Sequence, residues 1–239
     1  MAIIPLRGVI SNRMNLMGNI SGGGGTSSEA FIQQLRNSRD DEGVKAVILD
    51  VDTPGGAVSG TDEAAGVVQS FKGIKPIIAQ VNASAASAGY WMIAGADEIV
   101  VTPSGQVGSI GVYTIHDDIS AALEKAGIKK TIIGAGQFKT ETNPFAPLSE
   151  EALDHVRSQV TAYYDMFVER VASGRGVATS AVRDGFGKGR MVMARQAVAD
   201  GMADRIGTME ETLQRFGVEP QPDRKRALAP ERMKRAASL

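Results

Sequence analysis

Two short apolar runs rich in β-branched residues, Val44 to Val51 and Pro76 to Val81, constrain this chain most. Each is too short and too uniformly apolar for an amphipathic surface helix, and each suits a strand buried on both faces of a parallel sheet. Each also ends in residues that force a change of direction. The first runs into Asp52-Thr-Pro-Gly-Gly56, the second into the row of small side chains from Asn82 to Gly89. Helical segments follow both, Thr61 to Phe71 and a turn-to-helix step spanning Asn82 to Ala96. Strand, turn, helix and strand at this spacing predict βαβ units and a mostly parallel α/β sheet.

The same pattern extends outward. Ile3 to Ile10 reads as a first strand interrupted by Pro5, and Ser28 to Arg36 as a helix capped by Ser27 or Ser28. Glu98 to Thr102 is a further strand, Gly105 to Tyr113 a glycine-punctuated strand pair, Ile119 to Ala126 a helix and Lys130 to Ile133 a strand. Gly18 to Ser28, with four consecutive glycines, is expected to be a mobile loop. After Pro147 a long amphipathic helix is predicted over Ser149 to Ser173, opened by an imperfect capping box, followed by a helical hairpin from Val177 to Leu213. One domain is expected over residues 1–215. A tail over 216–239 with three prolines and, beyond Glu219, six Lys/Arg reads as flexible.

Composition removes whole classes of function. The 239 residues carry a formal net charge of −1, so no global field favours nucleic acid or an anionic membrane. There is no cysteine, which rules out a thiol nucleophile, a disulfide framework and thiolate metal sites. No apolar run approaches the roughly 18 residues needed to span a bilayer.

The two turns hold the candidate chemistry. Ser87 stands where a buried strand runs through tiny residues into a helix, so helix N–H groups and the helix dipole lie beside its hydroxyl. Alanine and serine at such a place are otherwise ordinary tight packing. Gly55 and Gly56 lie at the C-terminal end of a parallel strand, where open α/β sheets bind ligands, and two glycines can turn their N–H groups toward a substrate carbonyl. An attacking hydroxyl needs a base. His116, beside Asp117 and Asp118, would make a Ser-His-Asp arrangement, while His155 reads as a helix-surface residue. Lys139, in a glycine-rich loop next to Phe138, is the other choice. A lysine acts as base only when neutral, so burial must pull it down from its ordinary pKa of about 10.4.

Taken together, Asp52-Thr-Pro-Gly-Gly56, Ala85-Ala-Ser-Ala-Gly-Tyr90, Ala96-Asp-Glu-Ile99, Gly108-Ser-Ile-Gly-Val112 and the Lys139 loop resemble the S49 peptidase family, that of signal peptide peptidase A and the phage capsid assembly proteases. They run in the family's order over roughly residues 3 to 210, with 22 residues from Ser87 to Ser109 and 52 from Ser87 to Lys139. The resemblance implies a ClpP/crotonase-type fold with a C-terminal helical segment and a Ser-Lys dyad. Ser87 would be the nucleophile, Lys139 the general base and Ser109 the hydroxyl that orients the lysine amine. The N–H groups of Ala88 and of Gly56 or Gly55 would form the oxyanion hole. Ala88 departs from the glycine usual in signal peptide peptidases. It keeps the N–H and alters the adjoining pocket.

No cofactor or metal is implied. The implied partners are a peptide or protein substrate and further copies of the chain in a ring or dome, with phage capsid or scaffold proteins in the phage branch. Trp91-Met-Ile-Ala, Thr102-Pro-Ser-Gly and Glu141 to Glu150 resemble that branch, which acts in the bacterial cytoplasm or inside the assembling head. A soluble part of a membrane-associated signal peptide peptidase is the alternative. A crotonase-like acyl-CoA enzyme and a non-catalytic capsid scaffold are readings of other classes.

Overall fold

The computed structural model describes residues 1–13 and 24–218. Most of the loop expected at Gly18 to Ser28 therefore lies outside the described residues, as does the tail from residue 219 onward.

The sheet is built outward from two long neighbours, β3 (Val47–Gly56) and β4 (Ile77–Ala86). They pair in parallel from Val47↔Ile77 to Thr53↔Ala85. On the far side of β3 lies β1 (Ala2–Ser11), edged by β2 (Thr26–Ser27). Pro5 sits inside β1 without breaking it. On the far side of β4 follow β5 (Glu98–Val101) and β8 (Arg205–Ile206), all parallel.

The sheet branches at β4. Its first half, Ile78 to Val81, pairs with β5, and its second half, Ser84 to Ala86, pairs with the short strand β6 (Gln106–Gly108). Antiparallel to β6 runs β7 (Met191–Met193). One ten-residue strand thus carries two parallel neighbours end to end, and the upper pair leads directly into the candidate site.

Alternation decides what covers each face. Val47, Leu49, Val51, Ile77, Ala79 and Val81 point into the main core. There they meet α1 (Ser28–Asp40), α2 (Thr61–Gln69), the six-residue α3 (Ala88–Ile93) and the long α5 (Glu150–Arg175). Ser27 caps α1, its side chain accepting the Ala30 N–H. On the opposite face Ile48, Ile78 and Val100 are buried with Gln80. Gln80 is satisfied there by the Gly207 carbonyl and by Thr212 of α8 (Met209–Gln214).

Several boundaries differ from expectation, each for a packing reason. β4 runs on to Ala86, so the segment expected to be helical from Asn82 starts its helix only at Ala88. Small side chains there serve pairing with β6. Only Gln106 to Gly108 forms a strand within Gly105 to Tyr113, and Lys130 to Ile133 forms none, because no strand edge lies beside it. The expected helical hairpin of 177–213 is broken into α6 (Thr179–Gly185), β7, α7 (Ala194–Ala199), β8 and α8. At Ser149 a single bond to the Ala152 N–H caps α5, and the complete capping box lies instead at Thr208 and Glu211.

From Gly111 to Glu151 no residue is buried. This arm contains α4 (Ser120–Lys125) and closes on itself, with the Ile119 N–H on the Pro144 carbonyl and Lys130 over the Phe145 ring. Several of its apolar residues face solvent. Tyr113 is 84% exposed and Ile133 95%.

Candidate active site

Ser87 is the first residue beyond β4, and its backbone (φ 51, ψ −122) lies where side chains other than glycine rarely go. Two hydrogen bonds hold it there. Its N–H donates to the Gly108 carbonyl at 2.8 Å, and its carbonyl accepts the Trp91 N–H at 2.9 Å. Only three non-glycine residues among those described have positive φ, and Ser109 (φ 54) is another. Ser109 in turn donates its N–H to the Arg190 carbonyl at 2.9 Å. The register Ala86↔Gly108 makes the two strained serines the next residues on adjacent strands, about 5 Å apart by strand spacing. Strain of this kind costs on the order of 1–3 kcal/mol per residue and persists only where the surroundings impose it. The 22-residue step in sequence has become a direct juxtaposition.

The turn after β3 closes the third side. Gly55 adopts φ +95, and a Cβ placed on it would stand 2.8 Å from Ser87 Cβ, 2.8 Å from the Ala86 carbonyl oxygen and 3.2 Å from the Ala88 nitrogen. Only a glycine fits against the Ser87 turn. Thr53 locks this contact from below: it is fully buried, its hydroxyl donates to the Gly8 carbonyl at 2.6 Å and accepts the Gly55 N–H at 3.0 Å. Its methyl group fills the place a Cβ on Gly89 would need.

Because a trans peptide points its C=O and N–H oppositely, capture of the Ser87 carbonyl by Trp91 turns the Ala88 N–H out of the start of α3, toward Gly55. On β3, alternate N–H groups point to opposite sides. The Gly55 N–H is taken by Thr53 and the Ala57 N–H by Ile10 on β1. Of the two glycines singled out in the sequence, Gly55 makes the close approach to Ser87.

The candidate bases are elsewhere. Lys139 is exposed in a turn of the arm, its N–H on the Gly136 carbonyl, and its ammonium has no hydrogen bond or ion pair among the described residues. Burial beside Ser87 does not occur within the single chain. His116 is also on the arm, with a ring nitrogen 3.3 Å from the Ala146 carbonyl, and His155 on α5 faces Glu141 at 4.0 Å. Neither bonds to Ser87. Among the described residues no group of three or more His, Cys, Asp or Glu could hold a metal, and no helix is long and apolar enough to cross a membrane.

Sequence reading missed a half-buried polar cluster behind α3. Asp62 accepts the Trp91 indole N–H at 3.2 Å and is gripped by both arms of Arg170, at 2.9 and 2.8 Å. The Arg170 guanidinium holds the Asp62 carboxyl below its ordinary range. Its members lie 29 and 108 residues from Asp62 in sequence, a pairing without a local signal. A cleft of about 400 Å³ opens beside the chain leaving Ser109, between Ile110 to Val112, Tyr164 and Lys188. A larger one of about 610 Å³, between α1 and α5, contains neither serine.

The branched, mostly parallel sheet with its covering helices is that of a ClpP/crotonase-type fold. The chain belongs to peptidase family S49, whose family model matches residues 69–220. It is 31% identical over 205 residues to capsid assembly protease C of Escherichia phage lambda, covering 86% of this chain and 46% of that protein. It is 36% identical over 184 residues to the putative signal peptide peptidase SppA of Enterococcus faecium, covering 77% of this chain and 53% of that protein. The chain thus spans about half the length of these relatives. Among solved structures, a mutant of the 1510-N membrane-bound stomatin-specific protease superposes with a TM-score of 0.54 at 18% identity, covering 89% of this chain and 82% of the other.

Proposed function

We propose that this chain is a serine endopeptidase in which Ser87 is the nucleophile and Lys139, delivered by the arm of a second copy, is the general base. The observation that carries the reading is the strained Ser87 set against Ser109 and against the bare Gly55 turn. Membership of the S49 family supports peptide-bond chemistry.

The second copy follows from the physics of the lysine. An exposed ammonium stays protonated at neutral pH, and a base must be desolvated to lose its proton. The arm carrying Lys139 has no buried residue, and it exposes Tyr113, Ile115, Ile133 and Phe138. A segment of 41 residues without a core is ordered only by what it packs against. Packing it over the serine turn of a neighbouring copy would bury its apolar residues and the amine together. A ring or dome of such contacts is the assembly this implies.

The reaction then runs in two halves. Lys139 takes the Ser87 proton as the oxygen attacks the peptide carbonyl, and the Ala88 and Gly56 N–H groups hold the oxyanion. Ser109 orients the amine. The lysine gives its proton to the leaving amine, and water activated by the same lysine hydrolyses the ester. This sequence calls for no metal or cofactor.

As substrate we infer an extended segment of a capsid or scaffold protein, cut during head maturation in the host cytoplasm or the assembling head. Likeness to the lambda protease over 86% of this chain supports it. Degradation of signal peptides at a membrane is the second reading, favoured by the higher identity to the Enterococcus protein. The residues 1–215 would form the peptidase unit and 216–239 an appendage.

The test is fluorophosphonate labelling read by peptide mass, with casein hydrolysis by wild type, Lys139→Ala and His116→Ala. We expect the adduct on Ser87, loss of hydrolysis in Lys139→Ala and none in His116→Ala. Survival of Lys139→Ala with loss in His116→Ala would overturn the dyad.

A further inference from the structure

We infer that Asp62 and Trp91 are positioning residues that fix the direction of the Ala88 N–H, and that Asp62 does so through the indole of Trp91. This rests on Ser87 being the nucleophile.

The chain of contacts is continuous. The helix α3 has only six residues, all buried, so it owes little to its own hydrogen bonds. Its first bond, Trp91 N–H to Ser87 carbonyl, is the one that orients the Ser87–Ala88 peptide. Any rotation of Trp91 about the helix axis therefore swings the oxyanion donor. Three restraints prevent that rotation. The indole lies stacked on Phe167 with ring centres 4.5 Å apart and planes 8° off parallel. Its N–H is held by Asp62 at 3.2 Å. Asp62 is itself clamped by Arg170, which also donates to Gln69 at 2.9 Å, and Gln69 donates to Ser173.

Phe167, Arg170 and Ser173 recur every third residue of α5 and so share one face. That helix begins where the Lys139 arm ends. The same helix thus braces the oxyanion donor at one end and carries the arm at the other. A stack alone resists tilting but permits sliding in the ring plane. The Asp62 bond removes that freedom, which gives a carboxylate half-buried against an indole a purpose beyond packing.

The experiment measures kcat and KM per active site, titrated with fluorophosphonate, together with thermal midpoints. The variants are Asp62→Ala, Asp62→Asn, Trp91→Phe and the double variant Asp62→Ala/Trp91→Phe. Asp62→Ala and Trp91→Phe should each lower kcat about tenfold, with KM within about twofold, less than the 10²–10³-fold that loss of an oxyanion donor costs. The double variant should be no slower than the slower single one, since both remove the same bond. Asp62→Asn keeps an acceptor for the indole but loses the ion pair. It should melt lower yet turn over within about threefold of wild type. Unchanged kcat per site in both single variants, multiplied losses in the double, or a kcat that follows melting temperature in Asp62→Asn would overturn the inference. Trp91→Phe preserves the stack and keeps the test available if Asp62→Ala does not fold. A wild type that fails to label at Ser87 would refute the nucleophile assignment as well. Labelling with unchanged variants would refute this inference alone.

Discussion

Replacing Gly55 by alanine should silence the enzyme while leaving it folded. The new Cβ would stand 2.8 Å from both the Ala86 oxygen and Ser87 Cβ, with φ at +95. Ordinary contact begins about 0.6 Å farther out, and neither neighbour is a flexible side-chain end. The positive φ alone costs an alanine about 1–2 kcal/mol. Relief must come from moving the Ser87 turn or the Gly55–Gly56 peptide, and both carry the proposed oxyanion donors. A misplacement near 1 Å costs about 10²-fold in rate, or about 2.7 kcal/mol. Gly73→Ala is the matched control: φ is +76, and nothing lies within 4 Å of the added methyl. Both variants should lose about 2–4 °C or more in melting temperature through the backbone term. Only Gly55→Ala should lose about 10²-fold in kcat/KM on a peptide substrate. Equal kcat/KM in the two would refute the placement of the oxyanion site against Gly55.

Three further outcomes follow from the same geometry. Ser109→Ala should lower kcat about tenfold to a hundredfold, the value of one hydrogen bond to the amine as it takes up charge in the transition state, while fluorophosphonate still finds Ser87 in single-turnover mass spectra. Gly89→Ala places a methyl 2.3 Å from the buried Thr53 Cγ2, and urea denaturation should show a loss of about 1–3 kcal/mol. Tyr90 is fully buried with its hydroxyl on the Met202 carbonyl, and burial holds its phenol well above the ordinary value. Its folded pKa is raised, so its stabilisation is complete below about pH 10, where the unfolded phenol ionises, and falls as pH rises beyond that. Urea midpoints between pH 9 and 11 should drop for wild type and drop less for Tyr90→Phe.

The alternation of apolar runs and turns made the central parallel strands legible, because burial on both faces leaves no room for polar residues. That Ser87, Ser109 and the glycine turn meet in space was legible as well. They sit at strand ends, where local sequence dictates the turn. What escaped depends on neighbours distant in sequence. Whether Ser84 to Ala86 are strand or helix is settled by pairing with Gln106 to Gly108. Whether Lys130 to Ile133 form a strand depends on an edge that the described residues do not offer them. The Asp62, Trp91 and Arg170 cluster joins three helices, and no short-range pattern announces it. The burial required of Lys139 is likewise no property of one chain. In the proposed reading the exposed arm would place it between copies.

That point admits a direct measurement: co-expression of Ser87→Ala with Lys139→Ala, each inactive alone. If the base comes from a neighbouring copy, half the intact serines meet an intact lysine. Activity should then return to about a quarter of the wild-type value per chain, whatever the number of subunits. Assemblies that contain both variants and still fail to cleave peptide would contradict the account.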